Sequence, residues 1–213
     1  MLKCSTSTWS ANLANLGADL QRVEPYSERF HVDVTDGHYS PVLLFFPDLV
    51  KAVRPLITVP VEVHLMTTDP SMWVEPFVEA GANGIIFNYD TTKDPRGLLR
   101  KIHERGVQAG IALNIEEPAE LLEPMWKELD IVTIVGTKIG IKGAGMDPCV
   151  PEKIRAARRL NQKLGCRVEI ECDGGIRRNT VPLMHAAGAD FIVPGSLMFG
   201  EDPAAMRQWL ASL

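Results

Sequence analysis

Apolar, β-branched runs of strand length alternate with longer amphipathic stretches from one end of the chain to the other. The pattern predicts strands over residues 3–7, 30–34, 61–66, 84–88, 108–114, 131–137, 167–172 and 191–194. Between them it predicts helices over 10–23, 48–56, 70–80, 95–105, 118–129, 151–164, 180–187 and 202–213. Asp94-Pro95, Glu117-Pro118 and Asp202-Pro203 place a carboxylate and a proline at helix starts, while Gly81, Gly106 and Gly188 stand where helices should stop. Eight strand–helix units in 213 residues allow about 27 residues each, enough for a strand, a helix and two short turns. Strict alternation implies a parallel sheet, and eight units favour a closed (β/α)8 TIM barrel over an open doubly wound sheet. The open sheet also lacks its fingerprint, since no G-x-G-x-x-G follows the first strand. No linker or low-complexity tract divides the chain, so a single domain over 1–213 is expected.

Composition narrows the function classes. Hydrophobic residues at 46% and charged residues at 23% suit a globular protein, and the formal charge of −5 offers no basic stripe to nucleic acid. No apolar run approaches the roughly 18 residues of a membrane span. The start, Met1-Leu2-Lys3-Cys4-Ser5, has no signal-peptide core, which points to the cytosol. Cys4, Cys149, Cys166 and Cys172 form no C-x-x-C pair and are expected to be free core thiols.

Active sites of such barrels lie where strands end. In Phe30-His31-Val32-Asp33-Val34-Thr35-Asp36-Gly37, alternation puts His31, Asp33 and Thr35 on one face. In Val61-Glu62-Val63-His64-Leu65-Met66 it aligns Glu62, His64 and Met66; in Val168-Glu169-Ile170-Glu171-Cys172-Asp173-Gly174-Gly175 it aligns Glu169, Glu171 and Asp173. Any one of these is ordinary as a turn former or a hydrogen-bonded core group. His31, Asp33, His64 and Asp173 converging from three strands make a site for one divalent ion of the Zn, Mn, Fe or Co kind. Gly174-Gly175 and Gly195-Ser196 each precede a helix at the same mouth, where backbone N–H groups can hold a phosphate. His185 reads as structural within its helix, and His38 in its loop is left open.

At these residues the chain resembles the ribulose-phosphate 3-epimerase family. The likeness is carried by Ser7 with Leu13-Ala14-Asn15-Leu16-Gly17, by His31-Val32-Asp33-Val34 with Asp36-Gly37-His38, by Val63-His64-Leu65-Met66, by Ile170-Glu171-Cys172-Asp173-Gly174-Gly175, and by Gly195-Ser196. The resemblance implies His31, Asp33, His64 and Asp173 as metal ligands, and Asp33 and Asp173 as the acid/base pair. It implies Ser7, His64, Gly174, Gly175, Gly195 and Ser196 as holders of a phosphorylated ketose, in a homo-oligomeric enzyme. Met66 is expected to cover the planar intermediate or to serve as core packing.

Three departures stand out. Thr35 replaces the methionine of the family's Asp-Val-Met-Asp-Gly. The loop Val42-Leu43-Leu44-Phe45-Phe46-Pro47 is bulkier and more apolar than the family's, and with Trp73 it offers a subunit contact or a cover for the site. The family's Pro-Gly-Phe-Gly-Gly-Gln loop becomes Ile139-Gly140-Ile141-Lys142-Gly143-Ala144-Gly145-Met146; Gly140 and Gly143 still align, but Lys142 adds a cation. These changes alter substrate-measuring surfaces and spare the proton-transfer groups, so a ketose phosphate other than ribulose 5-phosphate is expected. A metal-dependent sugar-phosphate lyase or isomerase on the same barrel, and a non-catalytic sugar-phosphate binder, are the rivals.

Overall fold

The computed structural model describes residues 2–213. In chain order the strands are β1 (Lys3–Ser7), β2 (Arg29–Asp36), β3 (Leu43–Leu44), β4 (Val61–Met66), β5 (Gly84–Asn88), β6 (Gln108–Leu113), β7 (Ile131–Val135), β8 (Glu169–Asp173) and β9 (Phe191–Val193). Eight of them pair in parallel, and β1 closes the barrel by pairing with both β2 and β9. The α-helices are α1 (Leu16–Val23), α2 (Pro47–Val53), α3 (Val74–Glu79), α4 (Pro95–Glu104), α5 (Val150–Leu164), α6 (Val181–Ala187), α7 (Ser196–Phe199) and α8 (Pro203–Ala211). This is the expected (β/α)8 barrel.

Period-2 alternation sorts each strand between two environments. Phe30, Val32 and Val34 of β2, Val63 and Leu65 of β4, and Ile170 and Cys172 of β8 join the large core shared with helix residues such as Leu20, Val50 and Phe77. Fully burying one such side chain contributes about 2 kcal/mol, so this outer layer carries most of the hydrophobic drive. Inside the barrel a small apolar cluster of Ile86, Ala112, Ile131 and Val135 fills one side. The other side is polar and buried: Ser5, Arg29, His31, Asp33, Glu62, His64, Thr133 and Glu171.

Proline sets several departures from the predicted helices. Over 118–129 the chain makes 3-10 turns, Ala119–Glu128, because Pro124 has no N–H to give and its ring crowds the carbonyl four residues back. Pro76 likewise shortens the 70–80 helix to α3, preceded by a 3-10 turn at Pro70–Met72. Asp94 and Asp202 cap their helices by accepting the N–H groups of Gly97 at 2.9 Å and Ala204 at 3.0 Å. Glu117 does not; it turns back to the Asn114 N–H at 2.7 Å. All four cysteines are free, but only Cys4 and Cys172 are core residues; Cys149 and Cys166 are partly exposed.

The apolar loop after β2 forms a hairpin that the sequence pattern did not announce. β3 runs antiparallel to the end of β2, pairing Leu44 with Thr35 and Leu43 with Asp36. Phe45 is buried under it, whereas Leu43 and Phe46 face outward.

Candidate active site and metal centre

Register brings the strand-end residues to one height. Asp33 of β2 pairs directly with His64 of β4, His31 with Glu62, and Ser7 of β1 with His31. On the far side Asp173 of β8 pairs with Val135 and Val193. His31, Asp33, His64 and Asp173 thereby each bring one ligand atom to a common point, all within 4.8 Å of one another.

Both imidazoles are oriented by their outer nitrogens. His31 Nδ1–H donates to Glu62 Oε1 at 2.8 Å, and His64 Nε2–H to Asn88 Oδ1 at 3.1 Å. The inner nitrogens, His31 Nε2 and His64 Nδ1, are buried without a hydrogen-bond partner among the described residues. His31 Nε2 faces Asp33 Oδ1 at 3.4 Å and Asp173 Oδ2 at 3.9 Å, and His64 Nδ1 faces Asp173 Oδ2 at 3.6 Å. Two orphaned imidazole nitrogens aimed at two carboxylates fit a divalent transition-type cation, and the outer hydrogen bonds are those that hold such ligands in one tautomer.

The electrostatics agree. Burial works to lower the His31 pKa, but the carboxylates of Asp33, Glu62 and Glu171 override it and hold the ring well above its ordinary value. Burial works to raise Asp33; His31, His64 and the Ser7 hydroxyl, which donates to Asp33 Oδ2 at 2.8 Å, bring it below the usual carboxylate range. The point between these groups calls for positive charge, supplied by a proton on His31 or by a metal ion.

Above the cluster opens a cavity of about 260 Å³. Ser7, Asp33, Met66, Gly140, Lys142, Gly143, Asp173, Gly175, Gly195 and Ser196 line it. His31 and His64 lie beneath, fully buried. Gly174 is set behind the wall, where a Cβ would lie 2.6 Å from the Thr137 hydroxyl. Gly174 and Gly175 have φ of 89° and 70°, and a Cβ on Gly175 would come within 2.6 Å of the Met146 backbone. Only glycine makes that turn. The N–H groups of Gly175, Ile176 and Gly195 have no protein acceptor among the described residues. Lys142 is exposed, but its Nζ donates to the Trp9 carbonyl at 2.8 Å and sits 5.5 Å from the Trp9 ring centroid, tying two mouth segments together. Thr35 is engaged elsewhere, donating to the Val42 carbonyl at 2.7 Å. His38 is exposed in the loop organised by Asp36.

Sequence reasoning assigned no role to Trp9 or Arg177 at the cavity rim, which no periodicity marks; Lys138, there too, is a lysine near the strand ends. It also missed the role of Glu62 and Glu171, although both share strand parity with assigned residues. Arg29, two residues before His31, carries the same signal.

Comparison with known proteins decides the family. The sequence model described as the ribulose-phosphate 3 epimerase family matches residues 3–199. The chain belongs to that family. It is 34% identical over 203 residues to the ribulose-phosphate 3-epimerase of Bacillus subtilis (strain 168), covering 94% of each chain. It is 35% identical over 204 residues to that of Chlamydia pneumoniae, covering 94% of this chain and 89% of the other. Among solved structures, 3-hexulose-6-phosphate synthase superposes with a TM-score of 0.68 at 19% identity, covering 99% of both chains. A mutant tryptophan synthase alpha-subunit from the hyperthermophile Pyrococcus furiosus gives 0.67 at 16%, covering 98% of this chain and 97% of the other. At those identities the likeness is one of fold. The family member described here is an isomerase of the metal-dependent epimerase class, with a His/Asp cluster suited to a metal ion. Among the described residues no helix is long and apolar enough to cross a membrane.

Proposed function

We propose that this enzyme inverts C3 of a phosphorylated ketose, with Asp33 and Asp173 as the proton-transferring pair and one divalent ion of the Zn, Mn, Fe or Co type held by His31, Asp33, His64 and Asp173. The observation that carries the reading is the meeting of two carboxylates from strands β2 and β8, which are separated by β1 and β9, at the floor of one cavity. Epimerisation beside a ketone needs one group to take the C3 proton and another to return a proton to the opposite face. One carboxylate acts as base while its partner acts as acid, and the roles exchange in the reverse direction. Their surroundings differ: the Asp33 side chain is 5% exposed and the Asp173 side chain 19%. The bound cation supplies Lewis-acid stabilisation for the negative charge that a carboxylate base leaves on the substrate oxygens. Ser7 fixes one oxygen of Asp33, and Met66, 4% exposed at the cavity wall, helps to exclude water. The free N–H groups of Gly175 and Gly195 suit the phosphate, whose charge they meet without a side chain.

The substrate we infer is a ketose phosphate other than ribulose 5-phosphate, because the loop over 139–143, which departs from the family's pattern, lines the cavity wall, whereas the floor residues Asp33 and Asp173 keep to that pattern. Such wall changes discriminate by about 1–3 kcal/mol, so ribulose 5-phosphate turnover is retained as a side activity. A cytosolic location and self-association belong to the same reading; the outward-facing Leu43 and Phe46 beside the cavity mouth supply apolar surface for the latter.

The test is a panel of tetrulose, pentulose and hexulose phosphates in deuterated water, followed by NMR. Deuterium at C3 together with the C3 epimer is expected for at least one. Cleavage products without a C3 epimer would move the protein to the lyase reading, and binding with no C3 exchange would make it a non-catalytic barrel.

Lys142→Ala is expected to raise KM for a phosphorylated substrate roughly tenfold with kcat little changed, since a contact made equally in ground and transition states is lost. The difference should shrink as salt screens the charge. An unchanged KM at low salt would confine Lys142 to its contact with Trp9.

A further inference from the structure

Beneath the His/Asp cluster lies a second buried polar layer that the proton-transfer scheme does not use. Arg29, 5% exposed, sits one inward position below His31 on β2. Its Nε meets Glu62 Oε2 at 2.6 Å, its Nη2 meets Glu171 Oε2 at 2.8 Å, and its Nη1 meets Glu169 Oε2 at 2.8 Å. The Phe191 ring covers the guanidinium face at 3.7 Å. One cation thus ties β2 to β4 and β8: its two Nη groups hydrogen-bond Glu169 and Glu171, and Nε is held against Glu62 as a close ion pair.

The layer leads upward to a single imidazole nitrogen. Glu62 uses Oε2 on Arg29 and Oε1 on both the Ser5 hydroxyl and His31 Nδ1–H. Glu171 uses Oε2 on Arg29 and Oε1 on the Thr133 hydroxyl at 3.0 Å. Remove the guanidinium, and two fully buried carboxylates face each other without the charge that separates them. Glu62 then keeps only the Ser5 hydroxyl to fix it besides His31 itself, its Oε2 is free to swing, and the orphaned Nε2 is aimed less tightly.

We propose that Arg29 is a positioning residue for the metal centre, acting through Glu62 to hold His31 with Nε2 directed at the Asp33–Asp173 carboxylates. The inference rests on the metal reading above. Glu169 supplies the internal control. It touches Arg29 but has no contact with His31, and its side chain is 31% exposed, so Glu169→Gln loosens the staple without touching the arm that leads to the ligand.

The experiment is Co2+ binding to chelator-treated protein, read by competition with a chromophoric chelator and by the visible Co2+ spectrum. Arg29→Met and Glu62→Gln are expected to weaken affinity by roughly 10–100-fold, the usual cost of losing a partner of a ligating histidine, and to alter the spectrum. Arg29→Lys should restore part of the loss, and Glu169→Gln should keep wild-type affinity and spectrum even if it melts earlier. Should Arg29→Met fail to fold, Glu62→Gln preserves side-chain volume and carries the comparison. Wild-type affinity and spectrum in Glu62→Gln overturn the positioning role while leaving the metal reading intact. Equal weakening in Glu169→Gln reduces the layer to a strand staple and overturns it as well. If wild-type protein itself binds no Co2+, the metal reading falls and this inference falls with it.

Discussion

Asp33→Asn and Asp173→Asn are each expected to lower kcat for C3 inversion by about 10³-fold or more, at the upper end of what acid–base groups supply, because the two act as a unit. Each amide keeps the shape of the carboxyl. An asparagine side chain at position 33 can still accept the Ser7 hydroxyl now bound at 2.8 Å, and position 173 remains paired in register with Val135 and Val193, so the barrel should fold. Inversion and exchange separate the two roles. A variant that has lost one carboxylate still has a base for one face of the substrate plane. Asp33→Asn should therefore exchange the C3 hydrogen of one epimer with deuterated water without converting it, and Asp173→Asn should do so for the other epimer. Loss of exchange for both epimers in both variants would mean that the substitutions had emptied the metal site, which measured metal content would show. Retention of more than a tenth of wild-type turnover in either variant rules out the two-carboxylate scheme.

The barrel was legible because its strands obey a simple rule: each buries one face under helices and turns the other inward. In β2 the same rule that sends Phe30, Val32 and Val34 outward assigns His31 and Asp33 to the lumen, so the floor of the site could be read from parity alone. What parity does not carry is contact between strands distant in sequence. Arg29, Glu62 and Glu171 each stood in phase with an assigned residue, yet nothing local says that one guanidinium meets three carboxylates from β4 and β8. The mouth was less legible still. Lys142 sits among glycines, whose backbone freedom leaves its direction open, and only the fold brings the Trp9 carbonyl within reach. The hairpin at Leu43–Leu44 escaped for another reason: two residues are too short for any period, and the strand exists because β2 outruns β1, whose pairing stops at His31, leaving one edge of Thr35 and Asp36 open. Proline was the best local signal used too little. Pro76 and Pro124 both stood inside predicted helices that the chain breaks or winds into 3-10 turns.

Exhaustive chelation is expected to abolish epimerisation, and added Zn2+, Mn2+, Co2+ or Fe2+ to restore it. The argument begins with charge. Asp33, Asp173, Glu62 and Glu171 crowd one side of the lumen, and Arg29, with His31, answers the lower pair. Glu62 is held ionised: burial opposes this, but Arg29 and His31 prevail and bring its pKa down to about 2. Burial and the neighbouring Glu62 push Glu171 up to about 8. The upper pair has only the two histidines, and its protons must move during the reaction. A carboxylate that takes a proton from carbon leaves the negative charge on the substrate, and no lysine or arginine is ion-paired with Asp33 or Asp173 among the described residues. Losing a Lewis acid worth several kcal/mol corresponds to about 10²–10⁴ in rate. Two imidazoles in the donor set favour the transition-type ions over Mg2+, which should restore little. Stability supplies an independent readout: an ion bound only by the folded chain at 100 times its Kd adds about 2.7 kcal/mol, so chelation should lower Tm by several degrees. His31→Ala and His64→Ala should lose metal content and that increment together. Full activity in protein shown by elemental analysis to be metal-free would refute the assignment of His31, Asp33, His64 and Asp173 as a catalytic metal centre.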